Sequence, residues 1–282
     1  MEFIITPEHG GKTNVTDRQF PLISCICVTR NKPAMLRRAI ACFAAQRYEP
    51  KELIIVFEED DLFTAAFIAS DGPQWEANIR VIRVPAVPKT SLGGLRNIGI
   101  SEACGEFISQ WDDDDWYHAD RLACQYDALI KNGRDGTVMM HWMLYDCVDQ
   151  RAYISHSRTW EGSILCRKAV LQEKPYADQA SGEDTPTVNY LASTGCIQLM
   201  ENEPRLYIYI YHGNNTWDRE HWEDYFNLGK PLSDIDSTEI SEILNGKYPV
   251  RQGSRLLDEL LTRLYSGTAG EEPIISCDEY KE

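Results

Sequence analysis

The sequence predicts an α/β protein with a central, mostly parallel sheet flanked by helices, followed by a smaller mixed region and C-terminal helices. Three observations carry that prediction. Continuous apolar and β-branched runs, as in strands covered on both faces, alternate with helical-period segments through the first half of the chain. Three of the first four runs stop at charged or polar clusters, and in open parallel sheets ligands sit outside the carboxyl ends of the strands. The length, 282 residues, suffices for one large α/β domain with additions or for two small ones.

Residues 1 to 20 read as an N-terminal extension. Pro21 to Val28 is the first buried strand, ending at Thr29-Arg30-Asn31-Lys32-Pro33, where Pro33 is placed to open a helix. The helix Met35 to Gln46 sets Leu36, Ile40, Phe43 and Ala44 on one side, and Glu52 to Phe57 is the second strand, ending at Glu58-Glu59-Asp60-Asp61. Strand, helix and strand within about thirty-five residues make a right-handed crossover unit. Ile79 to Val84 gives a third strand. The Pro85 to Gly94 loop leads into a helix from Leu95 to Cys104, with Gly105 in the position of its C-terminal cap.

Phe107 to Trp111 is the fourth strand, and it stops at four successive carboxylates, Asp112 to Asp115, walled by Trp111 and Trp116. On an extended backbone Asp112 and Asp114 would point one way, Asp113 and Asp115 the other. Such a carboxylate pair suits Mg²⁺ or Mn²⁺ shared with a substrate's phosphates; the alternative is an acidic surface turn.

Beyond this point the pattern loosens. Arg121 to Lys131 is a helix, Thr137 to Leu144 and Ala152 to His156 are strands, and Thr159 to Arg167 is a loop feeding a strand, with its turn at Trp160-Glu161-Gly162. Glu183 to Ala192 is a helix opening on two acids, which complement the positive end of its dipole. Arg205 to Tyr211 is a strand, and Arg255 to Tyr265 a helix whose leucine stripe serves packing or a homodimer. The acidic tail from Gly270 closes the chain. The organisation expected is thus 1–20 extension, 21–120 first half of the main domain, 121–220 second half, and 221–282 helical extension and tail.

A net charge of −16 argues against a nucleic-acid or anionic-membrane surface, so a phosphate ligand needs a metal ion or a few placed Arg and Lys residues. Nine cysteines without CxxC pairs read as buried thiols in a reducing compartment. No secretory signal and no run of ~18 apolar residues are visible, so the expectation is a cytoplasmic protein without a transmembrane segment, peripheral membrane contact remaining open.

These pieces together resemble the family 2 glycosyltransferases of the GT-A fold, over roughly residues 21 to 220. The likeness rests on the Leu22 to Gln46 strand and helix with its Thr-x-Asn turn, on Glu52 to Glu59, on Gly94-Leu95-Arg96-Asn97-Ile98-Gly99-Ile100 with Gly105-Glu106-Phe107-Ile108, and on the DxD motif at Asp112-Asp113-Asp114. Glu183-Asp184 resembles the acidic pair of the acceptor-side helix, and Tyr211 to Trp217 a tail found in a bacterial subset. One departure is Glu58-Glu59-Asp60-Asp61, where the family usually has Asp-Asp-Gly-Ser.

The resemblance implies a metal-dependent, inverting transfer of a sugar from a nucleotide-diphosphate sugar to a saccharide or lipid-linked saccharide. It places Thr29, Glu58, Arg96, Asp112 and Asp113 around the donor, Asp114 and His212 on Mn²⁺ or Mg²⁺, with Asp115 a further candidate ligand, and makes Asp184 the catalytic base. Trp111, Trp116, Trp160 and Trp217 are candidates to stack on sugar or base. Two other readings stay open. A nucleotidyltransferase making nucleotide sugars would need a Gly-rich loop after the first strand, where Thr29 to Pro33 has no glycine. A non-catalytic nucleotide-sugar or saccharide-binding module is the other.

Overall fold

The computed structural model describes residues 20–266. The expected N-terminal extension, apart from Phe20, and the acidic tail from Gly270 lie outside these residues.

Four parallel strands come first: β1 (Ile23–Val28), β2 (Lys51–Glu58), β3 (Ile79–Val84) and β4 (Phe107–Gln110). Between them run α1 (Pro33–Ala44), α2 (Leu62–Asp71) and α3 (Leu92–Glu102). Pro33 does open α1, where its missing N–H costs nothing. Apolar residues fill both faces of the sheet: Cys25, Cys27, Leu53 and Ile55 join one core cluster with Leu36 and Phe43. Ile26, Ile54 and Val56 join the other with Leu95 and Ile100. That two-sided burial is why these strands read as unbroken hydrophobic runs.

The rest comprises β5 (Trp116–Tyr117), α4 (Arg121–Lys131), β6 (Gly136–Met139), β7 (Met143–Asp146), β8 (Arg151–Ile154), β9 (Trp160–Arg167), α5 (Lys168–Glu173), α6 (Thr185–Ser193), β10 (Ile197–Met200), β11 (Tyr207–Tyr211), α7 (Arg219–Leu228), β12 (Lys230–Pro231), α8 (Asp234–Leu244) and α9 (Val250–Ser266). Seven strands make one sheet in the order β10-β6-β9-β4-β1-β2-β3, with β9 antiparallel to both neighbours. Five make a second sheet, β12-β8-β7-β11-β5. Because β4, β1 and β2 are adjacent and parallel, their three polar C-terminal ends open on one crevice.

Several expectations need correction. Thr137 to Leu144 is not one strand: the chain leaves the first sheet after Met139 and enters the second at Met143. Trp160 to Gly162 is the start of β9 and not a turn. Gly105 does not cap α3, which ends at Ala103 in an extended conformation; a Cβ on Gly105 would lie 2.7 Å from the Leu22 carbonyl oxygen, so this glycine permits close backbone approach. Leu257, Leu260 and Leu261 of α9 are buried in the main core. The stripe therefore packs on its own chain, and a homodimer through this helix would need other residues.

Among the described residues no helix is long and apolar enough to cross a membrane. Cys25, Cys27, Cys42 and Cys166 are buried free thiols, whereas Cys104 is exposed.

Candidate active site

The four carboxylates after β4 lie on a turn, with β5 beginning at Trp116, so they do not alternate as on a strand. Each takes a different partner. Asp112 meets Arg96 at 2.6 Å. Asp113 accepts from the Thr29 hydroxyl at 2.6 Å and lies 3.7 Å from Lys32 Nζ. Asp114 takes Lys32 Nζ at 2.6 Å and His212 Nε2 at 3.1 Å. Asp115 is fully buried and turned into the second sheet, where it accepts from the Tyr207 hydroxyl (2.5 Å) and the Ile210 N–H (3.0 Å). Those bonds anchor the turn and remove Asp115 from the candidate metal ligands.

Electrostatics separates the two middle carboxyls. Burial, reinforced by the charge of Asp114, pushes Asp113 up to about 7. Burial also opposes ionisation of Asp114, yet the hydrogen bond from His212 and the charge of Lys32 hold it below the usual carboxylate range. The turn thus presents one firmly ionised carboxylate, Asp114, beside an imidazole.

The end of β1 supplies the opposing cations. Asn31 adopts a left-handed conformation (φ 56°) and its N–H donates to Asp61 at 2.7 Å. This sharp turn directs Arg30 toward Glu58 (2.9 Å) and Asp60 (2.8 Å), and leaves Lys32 facing the Asp113–Asp114 pair. Lys89, from the loop after β3, also pairs with Glu58. Both cations meet Glu58 Oε2, and its buried Oε1 has no hydrogen-bond partner among the described residues.

Arg96 ties the turn after β4 to the acidic pair before α6. Its guanidinium is buried, 2.6 Å from Asp112, 2.8 Å from Glu183 and 3.8 Å from Asp184. Gln110, the last residue of β4, repeats the link: its amide nitrogen lies 3.3 Å from both Asp112 and Asp184, while its oxygen accepts from the Tyr176 hydroxyl at 3.1 Å. Gly93 makes the approach possible. A Cβ there would sit 1.9 Å from the Ala177 carbonyl oxygen and 3.0 Å from Glu183 Cβ, so only glycine lets the segment carrying Glu183 lie against α3.

Asp184 occupies the N-cap of α6, but its side chain makes no capping bond. It turns to Gln110 and Arg96 instead. Glu183 is buried in its contact with Arg96; burial raises its pKa although Arg96 opposes the shift. Asp184 keeps the more accessible carboxylate of the two, with 13% of its side chain exposed against 3% for Glu183.

The crevice thus gathers Thr29, Glu58, Arg96, Asp112, Asp113, Asp114, Asp184 and His212. Trp111 and Trp116 are not part of it: both are buried in the core. Sequence reasoning missed Lys32, Arg30, Lys89 and Gln110. Gln110 had a local signal, a polar residue ending an otherwise apolar strand, whereas the three cations sit in loops whose targets are far away in sequence.

Among the described residues no three His, Cys, Asp or Glu side chains converge as a ready-made metal cluster. Asp114 and His212 at 3.1 Å offer one oxygen and one nitrogen donor. That pair would suit a divalent cation that draws its remaining ligands from outside the protein.

The model of "Glycosyl transferase family 2" matches residues 24–193. A curated relative, the succinoglycan biosynthesis protein ExoW of Rhizobium meliloti, is 29% identical over 108 residues, 38% of this chain and 33% of that protein. The match therefore spans about a third of that relative's length. Among solved structures, S. aureus TarS 1-349 in complex with UDP superposes with a TM-score of 0.53 at 18% identity, over 86% of this chain and 72% of that one. A mannosyltransferase from Pyrobaculum calidifontis in complex with GDP-Man and Mn2+ gives 0.54 at 12% identity, over 90% and 77%. At such identities the structures speak for the fold, and the family match covers the strands, the turn and the acidic pair that build the crevice: the chain belongs to glycosyl transferase family 2.

Proposed function

We propose that this protein is a metal-dependent, inverting glycosyltransferase that moves a hexose from a nucleotide-diphosphate sugar to a saccharide or lipid-linked saccharide, at a cytoplasmic site. The observation that supports it best is the shared wall of one crevice. Gln110 and Arg96 hold Asp112, on the donor side, and Asp184, on the acceptor side, in a single hydrogen-bonded and ion-paired unit.

The residues divide the work by position. Glu58, with its unpartnered buried oxygen, accepts from the base, and Thr29 with Asp113 lines the nucleotide pocket. Asp112, oriented by Arg96, receives the ribose. Asp114 and His212 would hold Mn²⁺ or Mg²⁺, which when bound would offset the charge that develops on the leaving diphosphate. Lys32, already paired with Asp114, adds a cation near the same phosphates. Asp184 takes the proton of the acceptor hydroxyl, with Gln110 and Arg96 orienting that carboxylate. With one base on the acceptor side and no second nucleophile assigned, displacement inverts the anomeric centre.

Incubation with Mn²⁺ and a panel of nucleotide sugars, with ¹H NMR of the anomeric proton, tests the reading. Slow donor hydrolysis with inverted product is expected. Release of pyrophosphate from a sugar phosphate and a nucleoside triphosphate would make it a nucleotidyltransferase, and nucleotide-sugar binding without turnover would leave a binding module.

A further inference from the structure

β5 pairs with β11 only at Tyr207 and Ile208. Past that point side chains continue its ladder. The Ile210 N–H donates to Asp115 Oδ1 at 3.0 Å, the Ile210 carbonyl accepts from Asn215 Nδ2 at 2.8 Å, and the His212 N–H donates to Asn215 Oδ1 at 2.9 Å. His212 Nε2 then lies 3.1 Å from Asp114 Oδ2. Because Asp114 and Asp115 are consecutive, these contacts close a ring from the acidic turn through the end of β11 and the 212–215 loop back to the same turn. Asn215 is the one side chain in that ring that bonds on both sides at once.

The place calls for a carboxamide. Ile210 presents an acceptor and His212 a donor, and a short side chain that answers both from one planar group is that of Asn. The orientation of the amide follows, since turning it over would set donor against donor and acceptor against acceptor. Gly213, Asn214 and Thr216 around it are exposed, whereas Asn215 is half-buried, so the loop is pinned at this side chain.

The ring nitrogens of His212 show which contact has to yield and which does not. The Asn214 N–H lies 3.3 Å from Nδ1, so the proton of the neutral ring sits on Nε2, toward Asp114. A cation on Nε2 requires that proton on Nδ1, and the Asn214 contact then has to open. Asn215 bonds to the backbone of His212 and not to its ring, so it holds the residue opposite Asp114 in either state.

We propose that Asn215 is a positioning residue for the metal site: by bridging Ile210 to His212 it keeps the imidazole within reach of a divalent cation on Asp114. The proposal rests on the glycosyltransferase reading above. Electron spin-echo spectroscopy of Mn²⁺ bound to the full chain with UDP or GDP tests it, because nitrogen-14 modulation reports an imidazole on the ion, and a role in folding alone would leave that signal in place. Wild type should show the modulation and His212→Ala should lose it. Asn215→Ala should lose most of it and bind Mn²⁺ about tenfold or more weakly, with the fold confirmed by circular dichroism. Thr216→Ala, at an exposed neighbour, should match wild type. Asn215→Ser is too short to bridge Ile210 and His212; it should repeat the loss, and it serves if the alanine variant does not fold. Modulation and Mn²⁺ affinity unchanged in either Asn215 variant would overturn the proposal. A wild type that binds Mn²⁺ and nucleotide without nitrogen modulation would remove His212 from the ion, and the positioning role with it, while leaving the donor reading intact. Binding of neither Mn²⁺ nor nucleotide would overturn both.

Discussion

Lys32 Nζ lies 2.6 Å from Asp114 Oδ2, on the carboxylate proposed to hold the metal, so a divalent ion would compete with a side-chain cation for one ligand. Asp114 and Asp113 repel each other, and Lys32 offsets part of that repulsion in the metal-free protein.

Replacing Lys32 with Met should therefore raise Mn²⁺ affinity in the absence of nucleotide, by roughly tenfold, the equivalent of about 1.4 kcal/mol. The same change should weaken nucleotide binding in the presence of Mn²⁺, because a phosphate-facing cation is gone. Electron paramagnetic resonance of free Mn²⁺ reads the first effect and calorimetry the second. A drop in metal affinity without nucleotide would show that Lys32 organises the site and does not compete for it.

Gly93→Ala should be far more damaging than Gly94→Ala, although the two are adjacent. The new Cβ at 93 meets a backbone oxygen at 1.9 Å, whereas at 94 it meets the side-chain methyl of Thr90 at 2.8 Å, which can move. Overpacking of this kind costs about 1–3 kcal/mol, and here relief requires shifting the segment that carries Glu183. Thermal melts of both variants decide it, with turnover expected to fall further for Gly93→Ala than the loss of folded protein explains. Similar melting temperatures would mean that the segment yields freely.

His118 provides a pH dependence. It is fully buried; its Nδ1 accepts from the Asp120 N–H and its Nε2–H donates to the Ser254 carbonyl, each at 3.1 Å, which satisfies the neutral ring. Asp258 lies 3.3 Å from Nε2 and favours the charged form, while Arg205 at 3.4 Å opposes it; burial prevails and the pKa falls below the ordinary 6.5. Below pH 6.5 the unfolded chain binds a proton that the folded ring refuses. This contribution to stability is complete above that pH and is lost as the pH falls, by at most about 1.4 kcal/mol per pH unit. Nitrogen-15 shifts of the ring should show a neutral Nε2–H tautomer at pH 6; a normal titration midpoint would contradict the assignment.

The parallel half of the first sheet was largely legible in the sequence because β1, β2 and β4 are buried on both faces, which leaves an unbroken apolar run in the chain. By contrast α2 was not seen: Leu62 and Phe63 at its start are 72% and 69% exposed, so no clean apolar face marks it. The division of Thr137 to Leu144 between two sheets was equally hidden, since apolar patterning does not say which sheet a residue joins. Trp111 and Trp116 looked like stacking platforms beside the acids, yet Arg121 and Tyr117 enclose Trp111, with the guanidinium 5.1 Å and the Tyr117 ring 4.0 Å away. The carboxylates were each visible in the sequence, but their partners were not. Lys32 and Asp114 are 82 residues apart, and only the fold brings such pairs together.

The acidic pair at α6 yields the most discriminating test. Glu183 is buried and ion-paired with Arg96, whereas Asp184 leaves its helix N–H groups unpaired by its side chain and turns to Gln110 and Arg96 in the crevice. A group that acts only when the acceptor hydroxyl loses its proton contributes to the transition state and little to donor affinity, so Asp184→Asn should lower turnover ~10²-fold or more with donor binding near wild type. Glu183→Gln keeps the shape but removes the charge facing Arg96. It should leave turnover within ~10-fold of wild type and lower the melting temperature, since breaking a buried pair strands the remaining charge. Asp112→Asn should reduce both donor affinity and turnover, because Arg96 holds that carboxylate on the donor side. Single-turnover kinetics and calorimetry on the three variants, with folding checked by circular dichroism, separate these patterns. A Glu183→Gln protein that melts like wild type yet turns over more slowly than Asp184→Asn would move the base to Glu183.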